Sequence, residues 1–290
     1  MAYQIHAPKG DQEGCSTAPP LETRPIRVYP HLYRTHIKIR FVQMKAWQEQ
    51  IVHPAVHGSR WGHECQEAYL DLVLQQDLAR VRGAHVHGYL IDNAKFFDMY
   101  IPKIIKRICL KAGLDEDFVG LMSNMWQKQK IYTKLAGHFA QTPDTPSNSL
   151  AQGCSFSLVA TNLHTSIWMY FVCTLIGGLK TSGFIDDVNM QHQCEKAINA
   201  ALKLTIDFNS DTGHQINLGK SAAFSTNESA RNRLRKMIVP VNIATRCLGQ
   251  QHRCTKAKSR VVQDRAIQKY MKTVDRIACL PVNRERKILL

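Results

Sequence analysis

The stretch GFIDDVNM, Gly183 to Met190, sets two adjacent carboxylates at the tip of a short apolar run, with no basic neighbour to balance them. Gly177, Gly178 and Gly183 bracket this run and predict a β-hairpin that carries Asp186 and Asp187. Paired aspartates alone are weak evidence, because exposed aspartates are ordinary in turns. They gain meaning from a third carboxylate. Asp92 closes the β-rich run VHGYLID, Val86 to Asp92. A strand ending in aspartate beside a hairpin carrying two more can gather three carboxylates. Such a cluster holds hard divalent cations through oxygen and repels itself without them. Two bound cations can activate a hydroxyl nucleophile and stabilise a leaving pyrophosphate.

The surrounding chain reads as alternating helices and strands. Residues 1–23 are polar, with Gly10, Gly14, Pro19 and Pro20, and read as loop; Ile26–Val28 reads as a strand. Apolar residues recur at helical spacing over Arg34–Val52 and Cys65–Arg82, and helices are expected around Ile101–Ala112 and Asp115–Trp126. Strands are expected within Gln129–Phe139 and at Ala222–Phe224, and a helix over Gln191–Phe208. Phe156 to Gly178 lacks Asp, Glu, Lys and Arg but contains Ser157, Thr161, Asn162, His164, Thr165 and Ser166. Those groups are costly in lipid, so the segment reads as a buried core helix running into a loop rather than a membrane span. The segment Thr255–Leu280 reads as one amphipathic helix with Ile267, Tyr270, Met271 and Val274 on its apolar face.

The 290-residue chain has 38 Lys+Arg against 23 Asp+Glu, a formal net charge of +15. Sixteen of the basic residues and only four of the acidic ones lie in Ser221–Leu290. Such an excess points to a polyanionic partner. The nine cysteines form no CxxC pair, which favours neither a disulfide framework nor a zinc module. The N-terminus lacks the form of a secretory signal, so an intracellular protein, nuclear or cytoplasmic, is expected.

Seven segments, in order, resemble the motifs of reverse transcriptases of the non-LTR retrotransposon and group II intron type. APKG (Ala7–Gly10) and RPIRVYPHLYR (Arg24–Arg34) resemble its fingers motifs. IDNAKFFD (Ile91–Asp98) resembles the first palm motif, DxxKAFD. QGCSFSL (Gln152–Leu158) resembles QGxxxSP, FIDD (Phe184–Asp187) the FADD or YADD box, and GHQINLGKS (Gly213–Ser221) the later Asn and Lys-Ser motif. RCLG (Arg246–Gly249) resembles the YLG of the primer grip.

The resemblance implies an α+β, right-hand polymerase fold with fingers, palm and a partial thumb. Residues 1–90 would form fingers and the entry to the palm. Residues 91–250 would form the palm, with inserted helices at about 101–140, and 251–290 a short basic thumb. The implied activity is RNA-directed DNA synthesis with two Mg2+ ions, or Mn2+ in their place. The partners would be an RNA template, a DNA primer and deoxynucleoside triphosphates, with no membrane.

By the same resemblance Asp92, Asp186 and Asp187 are the metal ligands and Phe97 is the steric gate against a 2′-hydroxyl. Gln152 would touch the nascent base pair, and Lys9 and Arg24 the triphosphate. Lys220 is either a proton donor to pyrophosphate or a structural lysine. Arg253, Lys256, Lys258 and Arg260 would follow duplex phosphates, and Asp98 would cap the helix after the strand. Phe96 stands where the family has alanine and is expected to crowd the nucleotide site. Leu158 replaces a proline, and Ile185 is an innocuous apolar change. The alternative reading is a decayed relative that only binds nucleic acid. An RNA-dependent RNA polymerase is disfavoured by Phe97.

Overall fold

The structure is a computed structural model. It describes residues 2–8, 23–135, 138–242, 244–247 and 250–253, with positions 264, 267, 268, 270–272 and 275. Strands β1 (Ala2–Pro8) and β2 (Thr23–Val28) lead into helices α1 (His31–Ile51) and α2 (Cys65–Val81). Strand β3 (His87–Asp92) is followed by the one-turn helix α3 (Phe96–Met99), then α4 (Pro102–Lys111), α5 (Glu116–Lys128), β4 (Ile131–Leu135) and β5 (His138–Phe139). Next come α6 (Ser155–Leu175), the hairpin β6 (Lys180–Phe184) and β7 (Asp187–His192), α7 (Glu195–Thr212), β8 (Ala222–Ser225) and α8 (Glu228–Leu234). A second hairpin, β9 (Ala244–Cys247) and β10 (Gln250–Arg253), follows α8.

The fold is mixed α/β, built on two four-stranded sheets. The first has the order β6-β7-β3-β8 and is antiparallel throughout. Its central strand β3 is buried on both faces. Tyr89 and Ile91 join the main core with Phe156, Met169 and Ile198, whereas Leu90 joins a smaller cluster with Leu72, Phe224 and Cys247. This two-sided burial explains a run of apolar residues without polar alternation. Gly88 is needed here: a Cβ at this position would come within 2.3 Å of the Phe224 ring on the paired strand.

The second sheet has the order β2-β1-β4-β5, with β1 and β4 parallel. Residues 2–8 are therefore a strand and not loop. Gln4 and His6 alternate with Tyr3, Ile5 and Ala7 in a segment whose backbone is paired on both sides, by β2 and β4. The helices α3 and α8 are likewise unforeseen, both too short to show a period.

Helix α6 is the core helix its composition implies, buried over most of its circumference. Its polar groups are largely absorbed locally. Asn162 Nδ2 donates to the Gly58 carbonyl at 2.6 Å, Ser166 Oγ donates to the Asn162 carbonyl at 2.7 Å and accepts from the His53 amide at 2.9 Å. Among the described residues no helix is long and apolar enough to cross a membrane. Of Thr255–Leu280, only the isolated positions given above are described; they are helical, with Ile267, Tyr270 and Met271 exposed.

Candidate active site

Asp92 and Asp187 are directly paired across β3 and β7, so their side chains leave the same face of the sheet. Asp186 occupies the turn before β7, and its charge reaches Asp92. With Lys220, Leu90, Asn189 and Cys247, the pair Asp92 and Asp187 lines a cavity of about 40 Å³. That space holds an ion or a water but no nucleotide.

Asp92 is fixed by its backbone. Its amide donates to Ser221 Oγ at 3.1 Å, and its carbonyl accepts from the Asn217 amide at 2.8 Å. The loop 213–221 thus locks Asp92 in place through Asn217 and Ser221, the Asn and Ser of the motif, for which the sequence alone assigns no role. The carboxylate Oδ2 is buried and has no hydrogen-bond partner; Lys220 Nζ stands 3.5 Å away. Burial pushes the Asp92 carboxyl above the usual carboxylate range, Lys220 opposes the shift, and Asp186 adds to it. A buried carboxylate oxygen without a hydrogen bond, faced across the sheet by Asp187, suits a hard divalent cation. Asp92, Asp186 and Asp187 are the residues that would hold it.

The hairpin tip is strained. Ile185 has φ 60°, a left-handed conformation that a β-branched residue adopts only under constraint. The constraint comes from the α1–α2 connection. His57 N donates to the Gly183 carbonyl at 2.8 Å and Gly183 N donates to the Ala55 carbonyl at 2.9 Å. Gly58 lies so close that a Cβ there would sit 2.7 Å from the Ile185 amide nitrogen. Ile185 is therefore the strained residue that aims Asp186, not a neutral substitution.

Phe97 is partly buried on α3, and its carbonyl accepts from the Leu150 amide at 2.8 Å. Two residues further on, the Gln152 carbonyl accepts from the Arg27 amide at 2.9 Å, which brings the QG loop against β2. Gly153 has φ 112°, and a Cβ there would meet the Arg27 carbonyl at 2.7 Å. Arg27, not singled out in the sequence, is buried and donates from Nη2 to Ser149 Oγ at 2.8 Å.

Two expectations change. Phe96 does not crowd a nucleotide site: it is 5% exposed, and its ring packs edge-on against Tyr100 and tilted against His214. Asp98 caps neither α3 nor α4, whose N-cap positions belong to Lys95, with φ 46°, and Ile101; it instead accepts a hydrogen bond from Ser149 Oγ at 3.5 Å. Below the turn lies a buried group that sequence reading missed, Tyr100, His164 and His214. Tyr100 is close enough to feel the charge of Asp186. Burial holds His214 down to about 4 and His164 well below its ordinary value, so both rings are neutral at pH 7. A lone histidine in an apolar run carries no signal of such packing.

Lys220 is two-thirds exposed at the mouth of the cavity. Arg24 lies on β2 opposite Ala7 and Arg253 on β10 opposite Ala244, by backbone alone. The side chains of Arg24 and Arg253, and all of Lys9, Lys256, Lys258 and Arg260, lie outside the described residues.

No protein-family model and no curated protein matches the sequence. Solved structures do share the fold. One is apo telomerase from Candida tropicalis truncated from its C-terminal domain, with TM-score 0.53 and 11% identity over 76% of this chain and 43% of that one. Telomerase from Candida tropicalis in complex with a TWJ fragment of telomeric RNA gives TM-score 0.55 and 11% identity over 77% and 36%. The Candida albicans telomerase complex with such a fragment gives 0.51 and 8% over 76% and 36%. Telomerase is a specialised reverse transcriptase, and the likeness at these identities is one of fold. The chain spans less than half the length of each of these relatives.

Proposed function

We propose that this chain is the polymerase core of a reverse transcriptase, extending a DNA primer on an RNA template. The observation that carries the reading is the cross-strand pairing of Asp92 with Asp187, beside Asp186 in the turn, with a buried Asp92 oxygen that makes no hydrogen bond and faces only the Lys220 ammonium at 3.5 Å. The fold shared with telomerase supports it. The motif order supports the non-LTR retrotransposon and group II intron type. On this reading residues 1–90 are fingers and the entry to the palm, 91–250 the palm, and 251–290 the basic thumb.

The three carboxylates would hold two magnesium ions, which when bound supply Lewis acidity toward the primer 3′-hydroxyl and the leaving pyrophosphate. The chain's own residues do the positioning. Asn217 and Ser221 fix the backbone of Asp92, and Gly58 and His57 fix the turn that presents Asp186. The cavity is too small for a nucleotide; on this reading the triphosphate would lie on the open face beside it, with Phe97 against the sugar. Lys220 stands ready at the cavity mouth to meet the charge of the departing pyrophosphate. The basic excess after Ser221 suits a template–primer duplex gripped through its phosphates. The buried position of Phe96 removes the steric reason for a binding-only relative.

The test is primer extension on poly(rA)–oligo(dT) with dTTP and Mg2+. Extension by the parent and none by Asp186→Asn is expected. A parent that binds the hybrid but never extends it would establish the binding-only alternative.

A further inference from the structure

A second cluster of metal-ligating atoms stands behind the hairpin, clear of the three aspartates. His57 Nδ1 and His63 Nδ1 are 3.3 Å apart, and Glu67 Oε2 is 3.5 Å from the first and 3.1 Å from the second. Among the described residues it is the one group of three such ligand atoms drawn so closely together. Atoms bound to one tetrahedral zinc at about 2.0–2.1 Å lie about 3.3 Å from each other. The triangle already has the edge length that zinc imposes.

The atoms are also prepared as ligands. His57 is 6% exposed, and its other nitrogen, Nε2, lies 3.2 Å from Asp71 Oδ2. That contact is not aligned along the ring N–H, and Nε2 has no other hydrogen-bond partner. A slight turn of the ring makes it a hydrogen bond, which keeps the proton on Nε2 and leaves the Nδ1 lone pair facing the triangle. A carboxylate behind a ligating imidazole is the usual support of a zinc histidine. Glu67 occupies the first turn of α2, where its Oε2 accepts from the Glu64 amide at 3.4 Å and is held in place. Glu49 Oε2 is 3.9 Å from His63 Nε2 and is itself gripped by the Arg60 guanidinium, which also donates to the Val56 carbonyl at 2.8 Å.

We propose that His57, His63 and Glu67 form a zinc site, with water as the fourth ligand on the side that His63 and Glu67 leave open to solvent. Two imidazoles and one carboxylate suit Zn2+ better than the hard ions that an all-carboxylate cluster takes. Its place in the fold gives it a role. The His57 amide binds the Gly183 carbonyl, and the next residue, Gly58, packs on Ile185. Zinc would thus fasten the α1–α2 connection to α2 and hold the brace of the aspartate turn.

The experiment uses the full chain, freed of metal by chelator and titrated with Zn2+ and separately with Co2+. The parent is expected to take one Zn2+ per chain, to melt at higher temperature with zinc, and to give with Co2+ the visible bands of a tetrahedral nitrogen–oxygen site. His63→Ala and Glu67→Gln, both at partly exposed positions that fold without the metal, should lose this binding and the zinc-induced rise. Asp71→Asn should weaken it by about 10–100-fold. Asp92→Asn should leave it unchanged, which separates this site from the aspartates. Equal zinc affinity in the parent and in both ligand variants would overturn the proposal. So would a thiolate-to-cobalt charge-transfer band, which would place the metal on cysteines, or a parent that takes up no zinc.

Discussion

Asp92 stands directly across β3–β7 from Asp187, a like-charge pair in register at the end of a sheet. Directly opposed like charges destabilise a sheet, and the turn adds Asp186. The arrangement is costly to the metal-free fold, a cost that bound cations would offset.

Stability should report that cost. Because the folded-state pKa of Asp92 is raised, the folded chain holds that proton more tightly than the unfolded one. Its contribution to stability is present at low pH and is lost as pH rises through the raised value. At pH 7 without metal, Asp92→Asn should therefore melt about 2 °C or more above the parent. Mg2+ should raise the parent's melting temperature more than the variant's, while the variant loses all primer extension. Differential scanning calorimetry with and without Mg2+ checks this; a destabilised Asp92→Asn would show that Lys220 outweighs the repulsion.

Sugar choice tests Phe97. A 2′-hydroxyl against its ring loses water and finds no partner, which costs about 1–3 kcal/mol, or about one to two decades in rate. Phe97→Ala should narrow the preference for dTTP over UTP by that order in single-nucleotide extension. Phe96→Ala empties a buried ring site against Tyr100 and His214 and should lose about 3–5 kcal/mol of stability without relaxing sugar choice.

The brace on the turn can be broken separately. Gly58→Ala sets a methyl 2.7 Å from the Ile185 backbone, which must move and carry Asp186 with it. A misplacement near 1 Å costs roughly 100-fold in rate. Primer extension by Gly58→Ala should fall by that order while hybrid affinity stays near the parent's; equal loss of both would point to general unfolding.

Acid should unfold the protein through its buried imidazoles. Burial pushes His214 and His252 down to about 4, and holds His164 well below its ordinary value. Below the ordinary value of about 6.5 the unfolded chain takes up protons that the folded chain refuses. Stability is full above that value and falls as pH drops toward 4, by up to about 1.4 kcal/mol per pH unit for each group. Urea unfolding at pH 7, 6 and 5 should show the slope, and His214→Gln should flatten it.

The sequence displayed the site in pieces whose signals are local. Asp92 at the end of an apolar run, the glycine-bracketed Asp186–Asp187 turn and the periodic helices α1, α2, α4 and α5 were all legible. What stayed hidden depends on distant partners. Strand β1 looks like loop because its pairing to β2 and β4 is invisible locally. Phe96 looked like an intruder at the site, since nothing near it in sequence foretells packing against His214. His57, His63 and Glu67 come from a loop and a helix start, and only the folded connection makes their lone pairs converge.

The central place of β3 has a kinetic consequence. Asp92 ends a strand whose partners, β7 and β8, come far later in the chain, and the hydroxyl that clamps its amide is 129 residues downstream. During synthesis β3 leaves the ribosome with neither neighbour available. Pairing at such separation is slow, because the closure entropy is spent before any contact rewards it. The carboxylates therefore meet among the last events of folding, and any cation site they form exists only once the chain through Ser221 is in place.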